Sequence, residues 1–131
     1  MSDIVFDASP LIAILKGEPG ADIAASYIQG AMMSTVNYAE VITYFAHLGL
    51  TENECGQLAA SQPLHHVPLS PSQASRAGML VAQTKPYGLS LGDRCCLALA
   101  LEYSATVVTA DRAWLDLAEP LGLDIVLTRP S

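Results

Sequence analysis

The chain has only three cysteines, Cys55, Cys95 and Cys96, and no Cys-x-x-Cys. Neither a zinc site nor a disulfide framework is therefore indicated. The adjacent Cys95 and Cys96, in an apolar helical stretch, read as small core residues. Long hydrophobic runs are missing as well. The longest, Cys95 to Leu101, falls far short of the roughly 20 residues that a membrane-spanning helix requires. The start, Met1-Ser2-Asp3, is acidic and lacks the basic residues and apolar stretch of a secretory signal. A soluble, reducing compartment, the cytoplasm, is expected, with no membrane contact. Basic residues are scarce and scattered: Lys16, Arg76, Lys85, Arg94, Arg112 and Arg129 form no basic run. There are no repeats, low-complexity segments or linkers.

What is present is a large apolar fraction, 51% of 131 residues, with a mean hydropathy of +0.35. That is enough for one domain, residues 1–131, burying roughly two-thirds of its extended surface without a structural metal. Short apolar runs alternate with helical periodicity. Ile4 to Phe6, Ala31 to Ser34, Thr106 to Thr109 and Asp124 to Leu127 read as strands, and His65 to Leu69 as an edge strand because of Pro68. Between them, Ser9-Pro10 reads as N-cap and first residue of a helix stopping at Gly17. Further helices are expected over Gly20 to Gln29, Asn37 to Leu48, from Thr51 to before Pro63, over Ser70 to Thr84, Leu91 to Tyr103 and Asp111 to Leu121. Alternating strands and helices predict an α/β fold, a parallel sheet covered on both faces.

Four acids stand where hydrophobic segments meet turns or open helices. Asp7 closes the first strand, Asp111 follows Thr109, and Glu40 and Asp93 are expected in the first turns of two helices. Taken singly, each has an ordinary structural explanation. Asp7 suits an Asx-turn, and Asp111 a helix cap. Glu40 follows Asn37, and Asp93 follows Ser90, at capping-box spacing. Jointly they imply more. Strand ends and helix starts of an open parallel sheet gather on one edge, where ligands bind. Crossovers that run one way from the first strand and then reverse set the first and fourth strands side by side, with Asp7 and Asp111 facing across the crevice. Carboxylates converging there repel unless a cation lies between them, and oxygen-only ligands suit magnesium or manganese.

Net charge is −7, from 13 acids and 6 bases, which counts against a nucleic-acid substrate. The objection is weakened by the cluster itself. Taking its four acids from 13 leaves 9 against 6 bases, a net of −3. Bound divalent ions would turn the same pocket into one that accepts phosphate oxygens.

The segments Val5-Phe6-Asp7-Ala8-Ser9, Asn37-Tyr38-Ala39-Glu40, Leu89-Ser90-Leu91-Gly92-Asp93-Arg94 and Val108-Thr109-Ala110-Asp111 resemble the PIN domain. More narrowly, they are similar to VapC-type ribonuclease toxins of toxin–antitoxin pairs. The resemblance runs through essentially the whole chain, and Leu89 to Leu97 is its most specific block. It implies a PIN-like three-layer α/β/α sandwich with a parallel sheet ordered 3-2-1-4-5. It implies a magnesium- or manganese-dependent endoribonuclease acting on tRNA or rRNA, a cognate VapB-type antitoxin and a homodimer. The implied catalytic and metal-binding quartet is Asp7, Glu40, Asp93 and Asp111, supported by Ser9 and Thr109. Arg94 and Arg112, each following a site acid, are candidates for phosphate contacts or for surface pairing with nearby acids. Asp116 is a candidate outer carboxylate or a solvated helix acid.

Other readings remain open. An aspartate-based phosphotransferase or phosphatase wants a second acid two residues after the strand-end aspartate, where this chain has Ser9. A non-catalytic PIN-like interaction module would be expected to have lost at least one of the four acids. His65-His66, on opposite faces of a strand, cannot grip one ion together. His47 is expected to be exposed near a helix end. Trp114 and Leu117 share a helix face and read as core or interface.

Overall fold

The computed structural model describes residues 3–129. Met1 and Ser2, part of the acidic start, lie outside the described residues. Strands β1 (Ile4–Phe6), β2 (Met32–Ser34), β3 (His65–Val67), β4 (Thr106–Thr109) and β5 (Ile125–Leu127) form one parallel sheet in the order β3-β2-β1-β4-β5. This is the expected order, with the reversal between β1 and β4. Their register pairs Val5 with Val107 and Phe6 with Val108. Successive side chains of a strand point to opposite faces, and two apolar cores follow from that alternation. Val5 and Val107 pack with Leu97, Leu99, Trp114 and Leu117 on one face. Phe6 and Val108 pack with Leu11, Met33, Val41 and Phe45 on the other. Helices on both faces make the three-layer sandwich.

The helices are α1 (Ala8–Lys16), α2 (Ala21–Ala25), α3 (Thr35–His47), α4 (Glu52–Ala60), α5 (Pro71–Met79), α6 (Val81–Thr84), α7 (Leu91–Tyr103) and α8 (Ala118–Leu121), with 3-10 turns at Lys85–Tyr87 and Arg112–Leu117. Several boundaries differ from the sequence expectation. Helix α1 begins at Ala8, so Asp7 stands at its N-cap and Ser9 lies inside the first turn. Asp7 makes no side-chain cap bond, leaving its carboxylate available elsewhere. Helix α3 is capped by Ser34, whose hydroxyl accepts from Val36 N–H. It starts earlier than Asn37, which puts Glu40 in its second turn. The segment after Asp111 is a 3-10 helix before it becomes α8. Helix α2 covers only half of the stretch read as helical.

The capping boxes at Thr51/Glu54 and Ser90/Asp93 both form. Trp114 and Leu117 are fully buried core. The three cysteines are buried and free. His65 is exposed on β3, while His66 packs on Tyr38, ring centroids 4.5 Å apart. Among the described residues, no helix is long and apolar enough to cross a membrane.

Candidate active site

All four acids reach one cleft at the C-terminal edge of the sheet. It has a volume of about 440 Å³, and Asp7, Ser9, Glu40, Asp93, Asp111 and Arg129 are among its lining residues. Larger hollows exist, including one of about 1070 Å³ between α3 and α4, but the edge cleft carries the carboxylates.

Asp7 is the buried member, at 6% exposure. Ser9 Oγ donates to its Oδ1 at 2.9 Å, and Thr109 Oγ1 donates to its Oδ2 at 3.0 Å. The same two hydroxyls accept from the backbone of the loop after β4: Ala110 N–H reaches Ser9 at 3.2 Å, and Asp111 N–H reaches Thr109 at 3.1 Å. Asp7 N–H bonds Val108 carbonyl at 3.3 Å. Residues a hundred positions apart in sequence are thus tied into one polar network across the β1–β4 junction. Burial pushes the Asp7 pKa from an ordinary 3.8 up to about 7, and the negative charges of Asp93 and Glu40 add to it. The two hydroxyl donors pull the other way and are outweighed. Below the cleft, burial first, and then Asp7, Asp93 and Glu40, raise the Cys96 thiol well above its ordinary value.

The other three acids are each held by one oxygen. Asp93 Oδ2 accepts from Ser90 N–H at 2.9 Å, Asp111 Oδ1 from Ala113 N–H at 3.0 Å, and Glu40 Oε1 from the Asn37 amide at 2.8 Å. Their second oxygens have no protein donor among the described residues. The structural and functional readings of these acids are therefore compatible: a cap fixes the side chain through one oxygen and leaves the other for a ligand. Among the described residues, no three His, Cys, Asp or Glu side chains are grouped tightly enough to hold a metal ion as they stand. The donor set nevertheless fits a hard divalent cation in kind. It is all carboxylate, without thiolate or imidazole.

The arginines are distributed differently from the sequence expectation. Neither Arg94 nor Arg112 lines the cleft; Arg129, just past β5, does. Neither forms an ion pair with a nearby acid among the described residues, where Lys16–Glu18 at 3.0 Å is the sole pair. Arg129 was not singled out in the sequence because nothing local marks it. Only the parallel pairing of β5 with β4 brings it to the cleft. Asn37, at capping-box spacing from Glu40, is not the cap of α3 and is fully buried behind Glu40. Asp116 is exposed on the 3-10 helix and is not among the lining residues.

A family model described as PIN domain matches residues 4–120. The chain therefore belongs to the PIN-domain family. A search of curated proteins found no significant match. Among solved structures, a chain of a toxin–antitoxin complex from Klebsiella pneumoniae superposes with a TM-score of 0.73 at 21% identity, covering 98% of this chain and 100% of that one. A chain of DNA-bound VapBC from Salmonella typhimurium gives 0.69 at 18% identity, covering 98% and 99%. VapBC2 from Rickettsia felis, bound to a DNA fragment from its promoter, gives 0.67 at 17%, covering 95% and 98%. At these identities the likeness establishes a shared fold.

Proposed function

We propose that this PIN-domain protein is a metal-dependent endoribonuclease, the VapC-type toxin of a toxin–antitoxin pair, hydrolysing phosphodiester bonds of tRNA or rRNA. The observation that carries the reading is the cleft at the β1–β4 junction, which four carboxylates line and where the buried one, Asp7, is pushed up to about 7. The similarity in fold to chains of VapBC complexes supports the toxin assignment and a VapB-type antitoxin as partner. A homodimer, implied by the family resemblance, is part of the proposal and is tested by light scattering of the isolated chain.

Asp7 and Asp93 would hold the main magnesium or manganese ion, and Glu40 and Asp111 would complete the site through their free oxygens. Such an ion supplies Lewis acidity, which lowers the pKa of the attacking water and stabilises charge at the phosphoryl group. Ser9 and Thr109 orient the Asp7 carboxylate and offset part of its burial penalty. Arg129 is the best placed of the arginines for a substrate phosphate, because it lines the cleft and Arg94 and Arg112 do not.

Two competing readings are weaker. A phosphoaspartate mechanism wants a second acid two residues after the strand-end aspartate, and that position holds Ser9, whose hydroxyl donates to Asp7. A non-catalytic module draws support from the spread of the carboxylates as they stand. The deciding experiment is manganese-dependent RNA cleavage by the purified chain. Asp93→Asn is expected to reduce it at least about a hundredfold while leaving the fold intact. Undiminished cleavage by that variant would overturn the mechanism.

A further inference from the structure

Behind Glu40 lies an arrangement that neither helix capping nor core packing explains. Asn37, in the first turn of α3, is fully buried. Its amide nitrogen donates one hydrogen bond to Glu40 Oε1 at 2.8 Å and another to the carbonyl of Gly92 at 3.0 Å. Gly92 is buried in the first turn of α7, directly before Asp93. The Glu40 carboxylate rests against it. A Cβ built on Gly92 would stand 2.2 Å from Glu40 Oε2 and 2.7 Å from Cδ. The same asparagine leaves its own Oδ1 buried without a partner. A buried amide with an unpaired oxygen costs stability, and the two hydrogen bonds of its nitrogen are what that cost is set against.

We propose that Asn37 and Gly92 act as a clamp that positions Glu40 beside Asp93, with Asn37 a positioning residue for the acid site. The inference rests on the reading of the cleft as a divalent-ion site, and it concerns how this chain keeps one acid in place before an ion arrives. A neutral amide is the chemistry this task needs. Lysine or arginine in its place would pair with Glu40 and occupy the charge meant for a cation. Aspartate would add another repelling carboxylate. The amide pins one oxygen, leaves Oε2 without a protein donor, and through the Gly92 carbonyl couples α3 to the helix that presents Asp93. Gly92 supplies the space. A methyl group there would meet the carboxylate itself, and Glu40 would have to turn away.

The test is a double-mutant cycle with two readouts on the full chain. In the absence of metal, Asn37→Ala and Glu40→Ala are melted singly and together. The clamp predicts non-additive shifts, because alanine at either position removes the same hydrogen bond. Additive shifts would overturn it. With manganese alone as the probe, calorimetric titration is expected to show about a ten- to hundredfold loss of affinity for Asn37→Ala, and no further loss when Asn37→Ala is added to Glu40→Ala. An Asn37→Ala effect of equal size in both backgrounds would mean a purely structural role and would overturn the proposal. Gly92→Ala reaches the same carboxylate from the other side and is expected to give the same pattern, so the test stands even where Asn37→Ala does not fold. A wild-type chain that binds no manganese would overturn the nuclease reading, and the clamp would then be judged by the metal-free cycle.

Discussion

Replacing Asp7 by asparagine should make the metal-free protein more stable, by a gain that sets in above about pH 5 and is complete above about 7. Asp7 holds its proton up to about pH 7 when folded, against an ordinary 3.8. The folded state therefore binds this proton more tightly than the unfolded chain. The associated stability is complete below about pH 4 and is lost as the pH rises through about 7. At about 1.4 kcal/mol per pH unit, the ionised carboxylate costs about 4 kcal/mol above that range. Asparagine removes the charge. Its amide nitrogen cannot accept from Ser9 or Thr109 as a carboxylate oxygen does, a loss of about 1 kcal/mol. The net gain for Asp7→Asn at about pH 8 is then about 3 kcal/mol, on the order of 10 °C in Tm. Near pH 4 the variant should be slightly the less stable of the two. Calorimetric melts of both proteins in chelator across this range provide the assay. The difference between them isolates Asp7 from the general self-repulsion of an acidic chain. Parallel pH profiles for wild type and variant would refute the reasoning. Manganese should stabilise the wild type and leave Asp7→Asn nearly unmoved.

Thr109→Val deletes one donor that lowers the Asp7 pKa, so the carboxyl should titrate higher still, followed by carboxyl-carbon NMR. Arg129→Ala should weaken binding of single-stranded RNA and reduce the slope of log affinity against log salt by about 0.7, the value for one lost phosphate contact. The same substitution at Arg94 or Arg112, away from the cleft, should change the slope less. Gly20→Ala should lower stability by about 2–3 kcal/mol, because Gly20 has φ +93° and an added Cβ would stand 2.6 Å from the Thr128 carbonyl oxygen. Thermal denaturation measures that loss.

How far the fold could be read from the chain depended on whether the signal was local. Thr106–Thr109 announces a strand by β-branching, and Thr51/Glu54 and Ser90/Asp93 announce helix starts by reciprocal side-chain geometry, which needs only three residues' spacing. Asn37/Glu40 has the same spacing and means something else. Ser34, at the end of β2, had already capped α3, so Asn37 was free to face inward toward α7. No local pattern records a contact 55 residues away. Asp7 was legible as a strand-end acid, but its release from capping duty was not. That depends on Ser9 and Thr109 meeting across the β1–β4 pair. Arg129 entered the site for the same kind of reason, through the pairing of β5 with β4. The two-core packing was implicit in the alternation of Val5/Phe6 and Val107/Val108 once strand adjacency was known.

The central claim is that carboxylates from four separate elements serve one divalent cation at the β1–β4 edge. Crystals soaked in manganese and measured at its absorption edge test this most directly. An anomalous peak between Asp7 and Asp93, within reach of the free oxygens of Glu40 and Asp111, is the predicted result. An empty cleft at saturating manganese, or a peak bound elsewhere on the surface, would contradict it.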